Sequence, residues 1–425
     1  MKEIILEGID EKILVDECDN GLPIYMLVND KISNFYITLN VKYGSKDTEF
    51  NVDGKDIKVP DGIAHYLEHV NFNTDEGETA HDIFKKMGSQ INAYTTFDFT
   101  SYEVFSSTLF KENLVCLLDY VQKPFFTDKL VEKERGIIIE EVKMGKNKPG
   151  HKLYYGMNKA LFKKDKRRYL VTGEVSDVKK ITREQLQLVY DTFYQPKNMF
   201  IVITGNFDPE EAVKIIKENQ NSKKFAEYKN PIKKEIKEPN TVNKEYEEIE
   251  CNVEIPKVKI CYKMPLDIFG DIDEVNVGIH LNAILKNNFG STSLLREELL
   301  EKQLITMMDA SCDIENKVLV IGLNVETKFP DRVIDILKKR MNHLEISEED
   351  IIRRRRANIA SLIYDLDDIE YMNSDIAYQL ILYGKIYNNI FDIYSNTSID
   401  VARDIINKLD LTNNSTVMLV PFNTR

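Results

Sequence analysis

The sequence predicts an α+β protein made of two similar halves, and three observations carry that prediction. Short runs that are apolar or alternate in polarity, such as PIYMLV from Pro23, are interleaved with long amphipathic helical patterns. Between about 221 and 256 the composition shifts to Lys, Glu, Asn and Pro with little apolar periodicity, as an interdomain linker would. Finally, MFIVITGNF from Met199 and TVMLVPF from Thr416 end their halves alike. Each follows a helical pattern and an Asn-containing turn, which suggests duplication of a unit of about 200 residues. The halves are set at 1–225 and 251–425, with a linker at 226–250.

Taken in order, 12–42 reads as three short strands, ILVDE, PIYMLV and FYITLNVKYGS, with the turn Asp19-Asn20-Gly21 after the first. This opening is antiparallel in character. A helix over 79–88 ends at Gly88, and two strands follow from Gln90 to Thr96 and from Ser101 to Ser106. Helices are expected at 111–123, 128–146 and 182–193, then the strand ending at Gly205 and a helix after Asp208-Pro209. Beyond the linker the pattern restarts: strand 257–264, helices 273–288 and 293–302, strands 306–313 and 317–325. Helices 330–342, 347–366, 370–383 and 398–408 then lead to strand 415–420.

Bulk properties narrow the class. The chain has 425 residues, 43% of them hydrophobic and 30% charged, which is ordinary for a globular protein of two or three domains. Its start, MKEIILEGIDEKILVDE, is acidic and alternating, and no apolar run approaches membrane-spanning length, so a cytoplasmic protein with no membrane partner is expected. Five scattered cysteines, Cys18, Cys116, Cys251, Cys261 and Cys312, never spaced C-x-x-C, fit buried thiols in a reducing compartment. A net charge of −13 argues against a nucleic-acid partner, because phosphate binding needs a basic footprint. The one basic cluster, Arg353 to Arg356, follows Glu348, Glu349 and Asp350 and reads as a charged helix face.

The chemistry concentrates at His65-Tyr66-Leu67-Glu68-His69. On a helix, positions 65, 68 and 69 share one face, so two imidazoles and a carboxylate point into one small volume. H-x-x-E-H is the inverted form of H-E-x-x-H, in which the two His hold zinc (Zn2+) and the Glu takes a proton from the attacking water. Asp61, just before the apolar run, is a candidate helix cap.

DGIAHYLEHVNF resembles the zinc-binding segment of the pitrilysin/insulinase-like metallopeptidases, which include the mitochondrial processing peptidases. In that family a Glu downstream, in a helix of pattern E-x6-E, completes the site, and Glu134 and Glu141 fit that pattern. The resemblance implies Glu141 as third ligand, Glu68 as general base and Glu134 as a carboxylate that orients a ligand from behind. Glu140 would point about 100° away around the helix. The resemblance further implies two layers of antiparallel sheet and helices, one per half, facing each other around a chamber. Asn92-Ala93-Tyr94-Thr95 resembles the family's strand beside the active site, where an extended peptide adds as an extra strand, which makes Asn92 and Ala93 substrate-binding candidates. A plain sheet strand with Asn92 near a turn is the other reading of that segment.

Self-sufficient family members carry in their second half a Gly-Ser-x-Ser segment, then an Arg and, seven positions on, a Tyr that contact the substrate carbonyl. Phe289-Gly290-Ser291-Thr292-Ser293 matches the opening, but in register the Arg position is Leu300 and the Tyr position is Met307. Neither side chain donates a hydrogen bond. The chain therefore resembles the metal-bearing subunit of bacterial two-chain peptidases that remove the leader from a ribosomally made, modified peptide, with a homologous partner chain supplying the Arg/Tyr pair. Two alternatives stay open: a self-sufficient homodimeric oligopeptidase, with Arg296 as a donor, and a non-catalytic assembly subunit of the same fold.

Overall fold

A computed structural model of the protein describes residues 1–73 and 77–422. Among the described residues, fifteen strands form three sheets. β1 (Lys2–Leu6), β2 (Glu11–Glu17), β3 (Pro23–Val28), β4 (Phe35–Val41), β7 (Gln90–Thr95), β8 (Thr100–Ser106) and β9 (Met199–Gly205) make a seven-stranded sheet in the order β1-β2-β3-β9-β4-β8-β7. β5 (Glu49–Val52), β6 (Lys55–Lys58) and β10 (Ile232–Lys233) form a small sheet. The third sheet joins β11 (Tyr246–Cys251), β12 (Lys257–Pro265), β13 (Met307–Glu315), β14 (Val318–Glu326) and β15 (Asn414–Pro421) in the order β11-β15-β12-β14-β13.

The suggested duplication is visible in this topology. In each large sheet the last strand inserts between two earlier consecutive strands, parallel to one and antiparallel to the next: β9 between β3 and β4, and β15 between β11 and β12. All other pairs in both sheets are antiparallel. β7 and β13 are the corresponding edge strands.

The first helices in chain order are α1 (Ile63–Asn71), α2 (Ala80–Lys86), α3 (Phe110–Gln122), α4 (Asp128–Asn147) and α5 (Pro149–Leu161), of which α1 and α4 carry the site. α1 is buried nearly all round, with eight of its nine residues inside, including the polar His65, Glu68 and Asn71. α4 is amphipathic: Leu130, Val131, Ile138 and Val142 form its buried stripe, and Glu134 sits in that stripe too.

The expected boundaries at 225 and 251 do not coincide with the compact units. One unit comprises Met1–Lys143, Leu170–Glu235 and Leu362–Ile390, the other Met144–Tyr169, Ile236–Ser361 and Phe391–Arg425. α5, whose helical pattern was not recognised in the sequence, packs Met157, Ala160 and Leu161 against Cys261 and Val417 of the second unit. In return the helix Ile369–Leu382 covers the first sheet, setting Met372, Ile376 and Ala377 against Leu6, Ile13, Leu27, Phe200 and Val202. The expected linker is structured as well. β10 pairs with β5 and β11 with β15, and buried Lys263 donates to Glu238 Oε1 at 2.7 Å and to Pro239 O at 2.7 Å. Backbone pairing and one buried cation thus order a stretch that is polar in composition.

Candidate metal centre

Gly62, not Asp61, caps α1: it takes φ 88° and no side chain caps the helix. A Cβ on Gly62 would lie 2.4 Å from Thr172 O, and one on Gly173, itself at φ 72°, would lie 2.5 Å from Asp61 O. Two turns press backbone to backbone here, and only glycine fits at either. This fixes where α1 begins and so where its side chains point.

α1 and α4 are locked together beside the site. The Tyr66 hydroxyl donates to Val131 O, and Arg135 donates to Val178 O at 2.7 Å and Ile181 O at 2.9 Å while its guanidinium lies 5.9 Å from the Tyr66 ring. Across this joint, His65 Nε2 is 3.7 Å from Glu141 Oε1 and His69 Nε2 is 3.4 Å from Glu141 Oε2. His69 Nδ1 lies 3.5 Å from Glu134 Oε2 on its other side. Glu140 is turned outward and pairs with Lys143 at 2.6 Å.

His65, His69 and Glu141 offer one ligand atom each, all within 4.8 Å of one another, the one such metal-competent group among the described residues. A tetrahedral zinc with ligands near 2.0–2.1 Å spaces their atoms roughly 3.3–3.4 Å apart. The His69–Glu141 separation of 3.4 Å matches that, and the His65–Glu141 separation of 3.7 Å is a few tenths of an ångström longer. The donor types fit as well, two imidazoles and a carboxylate with a second carboxylate behind one imidazole. Buried His65 Nδ1 has no hydrogen-bond partner among the described residues, whereas His69 Nδ1 faces Glu134.

Without metal the electrostatics are strained. Burial, then the charge on His69, lowers His65 to about 4. Burial opposes charge on His69, but Glu134, Glu141 and Glu68 outweigh it and raise it to about 9. Burial pushes Glu68 up to about 7 against a hydrogen bond from Thr95, whose hydroxyl donates to Glu68 Oε2 at 2.6 Å. A bound dication adds the largest local charge and favours neutral imidazole and ionised carboxylate.

Beside these groups runs β7, an edge of its sheet. Thr96 N–H donates to Phe99 O at 2.8 Å and closes the β7–β8 hairpin, whose register pairs Asn92 with Glu103 and Ala93 with Tyr102. Alternation from that closing pair puts Asn92 and Tyr94 at hydrogen-bonded positions and Ala93 and Thr95 at the others, where the N–H and C=O of β7 point to the open edge. Ala93 thus has its backbone available to a peptide. Asn92 has spent its backbone on β8, and its side chain bonds Glu103.

Comparison with known proteins gives these groups a lineage. Residues 32–172 match the model for insulinase (peptidase family M16), and residues 180–358 match that for the peptidase M16 inactive domain. The chain is 33% identical, over 92% of its own length and 92% of the relative's, to the uncharacterised zinc protease YmfH of Bacillus subtilis (strain 168). The chain belongs to the M16 family. Its fold superposes with a TM-score of 0.89 and 27% identity on an M16-like peptidase from Alicyclobacillus acidocaldarius, covering 98% of this chain and 100% of that one. A protease from Helicobacter pylori shares the fold at a TM-score of 0.82 and 20% identity, over 97% of this chain and 100% of its own. The relatives named zinc proteases make zinc the metal and peptide hydrolysis the class of reaction of this M16 protein.

The residues found from sequence, His65, Glu68, His69, Glu134 and Glu141, are brought together. Thr95, Tyr66 and Arg135 were not singled out. A signal for Thr95 exists: it continues the Ile91, Ala93 face of an alternating strand, a polar residue ending an apolar row.

Proposed function

We propose that this M16 chain is the zinc-bearing subunit of a two-chain endopeptidase that cuts extended peptides. The observation that carries the reading is the convergence of His65, His69, Glu141 and Glu68 beside the open edge of β7. His65 and His69 through Nε2, and Glu141 through its carboxylate, hold zinc, and Glu134 keeps His69 in the tautomer that donates from Nδ1. Zinc, when bound, activates water at neutral pH and polarises the scissile carbonyl. Glu68 accepts the proton of the attacking water and returns it to the leaving amine. The backbone of Ala93 holds the peptide in extended form, reading shape more than side chains, and the Asn92 side chain keeps the β7–β8 hairpin in place through Glu103.

A homologous partner supplies the groups that stabilise the oxyanion, a contribution of about 3–4 kcal/mol per donor. Supporting this, Leu300 packs against the apolar core of its own unit and Met307 is a half-exposed thioether. Arg296, the donor that a self-sufficient homodimer would use, places one guanidinium hydrogen on Ser291 O at 3.3 Å. The complete ligand set disfavours a purely structural subunit. The substrate class we favour is the leader of a ribosomally made, modified peptide, and five free thiols support a reducing, cytoplasmic setting.

The test is Glu68→Gln in the purified chain with its partner. Zinc content by metal analysis should stay near that of the wild type while turnover falls by roughly a hundredfold or more. Wild-type turnover by this variant would sink the assignment.

A further inference from the structure

Thr95 stands where the two parts of the site meet. Its side chain donates to Glu68 Oε2 at 2.6 Å, and its backbone belongs to the open edge of β7. The direction of that hydrogen bond is set by a chain behind it. Asn71 Nδ2 donates to the Tyr102 hydroxyl at 3.0 Å, the Tyr102 and Tyr194 hydroxyls share a hydrogen bond across 2.9 Å, and Tyr194 is bonded in turn to the Thr100 side chain. Thr100 commits its own hydroxyl proton to Tyr43 O at 3.0 Å. Thr95 Oγ1 lies 3.4 Å from Thr100 Oγ1 and is closer to Glu68, so its one proton goes to the carboxylate. Tyr43, Tyr102 and Tyr194 are buried, so this array is held without competition from solvent.

We infer that Thr95 is a positioning residue: it ties the peptide-receiving edge of β7 to Glu68, fixing Oε2 and leaving Oε1 as the oxygen that exchanges the proton. The inference rests on Glu68 being the general base. It assigns Thr95 no bond to substrate through its side chain. What it contributes is alignment, and a peptide that adds to β7 stiffens the strand that holds the base. A carboxylate fixed through one oxygen loses rotational freedom that would otherwise be frozen on the way to the transition state. The effect therefore belongs in kcat, whereas a change that blocks the edge itself, such as Ala93→Pro, belongs in KM.

The experiment compares Thr95→Val and Thr95→Ser with the wild type, each as the full zinc-loaded chain with its partner, on a pool of unstructured quenched-fluorescent decapeptides. Zinc content is measured in parallel, and crystal structures of the zinc-loaded variants report the Glu68 side chain. Thr95→Val should lower kcat roughly tenfold or more with KM changed less than about twofold and zinc content unchanged. Thr95→Ser, which keeps the hydroxyl, should recover most of kcat, and Glu68 should turn in the Val variant only. A Val variant with wild-type kcat, a Ser variant as slow as the Val variant, or a Glu68 carboxylate unmoved in the Val variant would each overturn the inference. If a Glu68→Gln chain is slow while Thr95→Val is fast, the positioning role alone fails. If Glu68→Gln is as fast as the wild type, the base assignment fails and this role with it.

Discussion

Glu134 sits where a charged side chain is seldom found. It is 5% exposed and lies in the apolar stripe of α4 between Val131 and Ile138, with its carboxylate held below the usual range: burial opposes this, and the His69 imidazole and Lys133 outweigh it. A buried carboxylate needs a partner, and here the partner is Nδ1 of His69, whose other ring nitrogen faces Glu141. Replacing it as Glu134→Gln keeps the shape and one acceptor oxygen but removes the charge. Zinc affinity should fall by about 10- to 100-fold, read by competition with a fluorescent chelator. Unchanged affinity would mean that Glu134 is a packing residue. From sequence, Glu134 and Glu141 could be chosen over Glu140 only through a family pattern. The structure supplies the physical ground, because Glu140 faces Lys143 and Glu141 faces both imidazoles.

At the scale of the element, the β7–β8 hairpin carries a cost on the face opposite α1. Burial, and then the nearby Glu370, raise Glu103 to about 7 against hydrogen bonds from Tyr36 and Asn92. The folded carboxyl therefore holds its proton to higher pH than the unfolded one, whose value is 4.5. Between those values the folded state binds more protons, so stability should fall as pH rises from about 4.5 to about 7 and stay reduced above that. Glu103→Gln keeps the shape and one acceptor oxygen and removes the charge. It should raise stability at pH 8 by about 1–3 kcal/mol and change little at pH 5, measured by urea unfolding at both values. A gain of equal size at both pH values would point to packing rather than ionisation. The hairpin itself was legible, since 90–96 and 101–106 alternate in polarity and the observed strands agree within a residue or so. Its edge position was not, because alternation reports which face is buried and says nothing about which neighbour is absent.

For the molecule as a whole, the exchange of helices between units decides how the chain folds. The helix Ile369–Leu382, encoded far from the sheet it covers, is pinned by Asn373, which accepts from Thr38 at 2.7 Å and donates to Val202 O at 3.0 Å, and by Thr204 donating to Ile369 O at 2.6 Å. A fragment of residues 1–235 would leave Phe200 and Val202 uncovered and carry α5 without its own sheet. Produced separately, fragments 1–235 and 236–425 should each lack a cooperative unfolding transition, and mixing or co-expression should restore it. Cooperative unfolding of 1–235 alone, with a Tm near that of the full chain, would contradict this. By itself the sequence determined the type and approximate span of most strands and helices, the repeat, and the shared helix face of His65, Glu68 and His69. Each of those is written in local periodicity or in the spacing of a few chemically uncommon side chains along one helix face. Only the tertiary structure decided which segments join which unit, that Thr95 donates to Glu68, and that Ala93 presents its backbone at an open edge. Those depend on contacts between residues far apart in the chain, where free energy is set by burial and by the partner a polar group finds, and no local pattern records either.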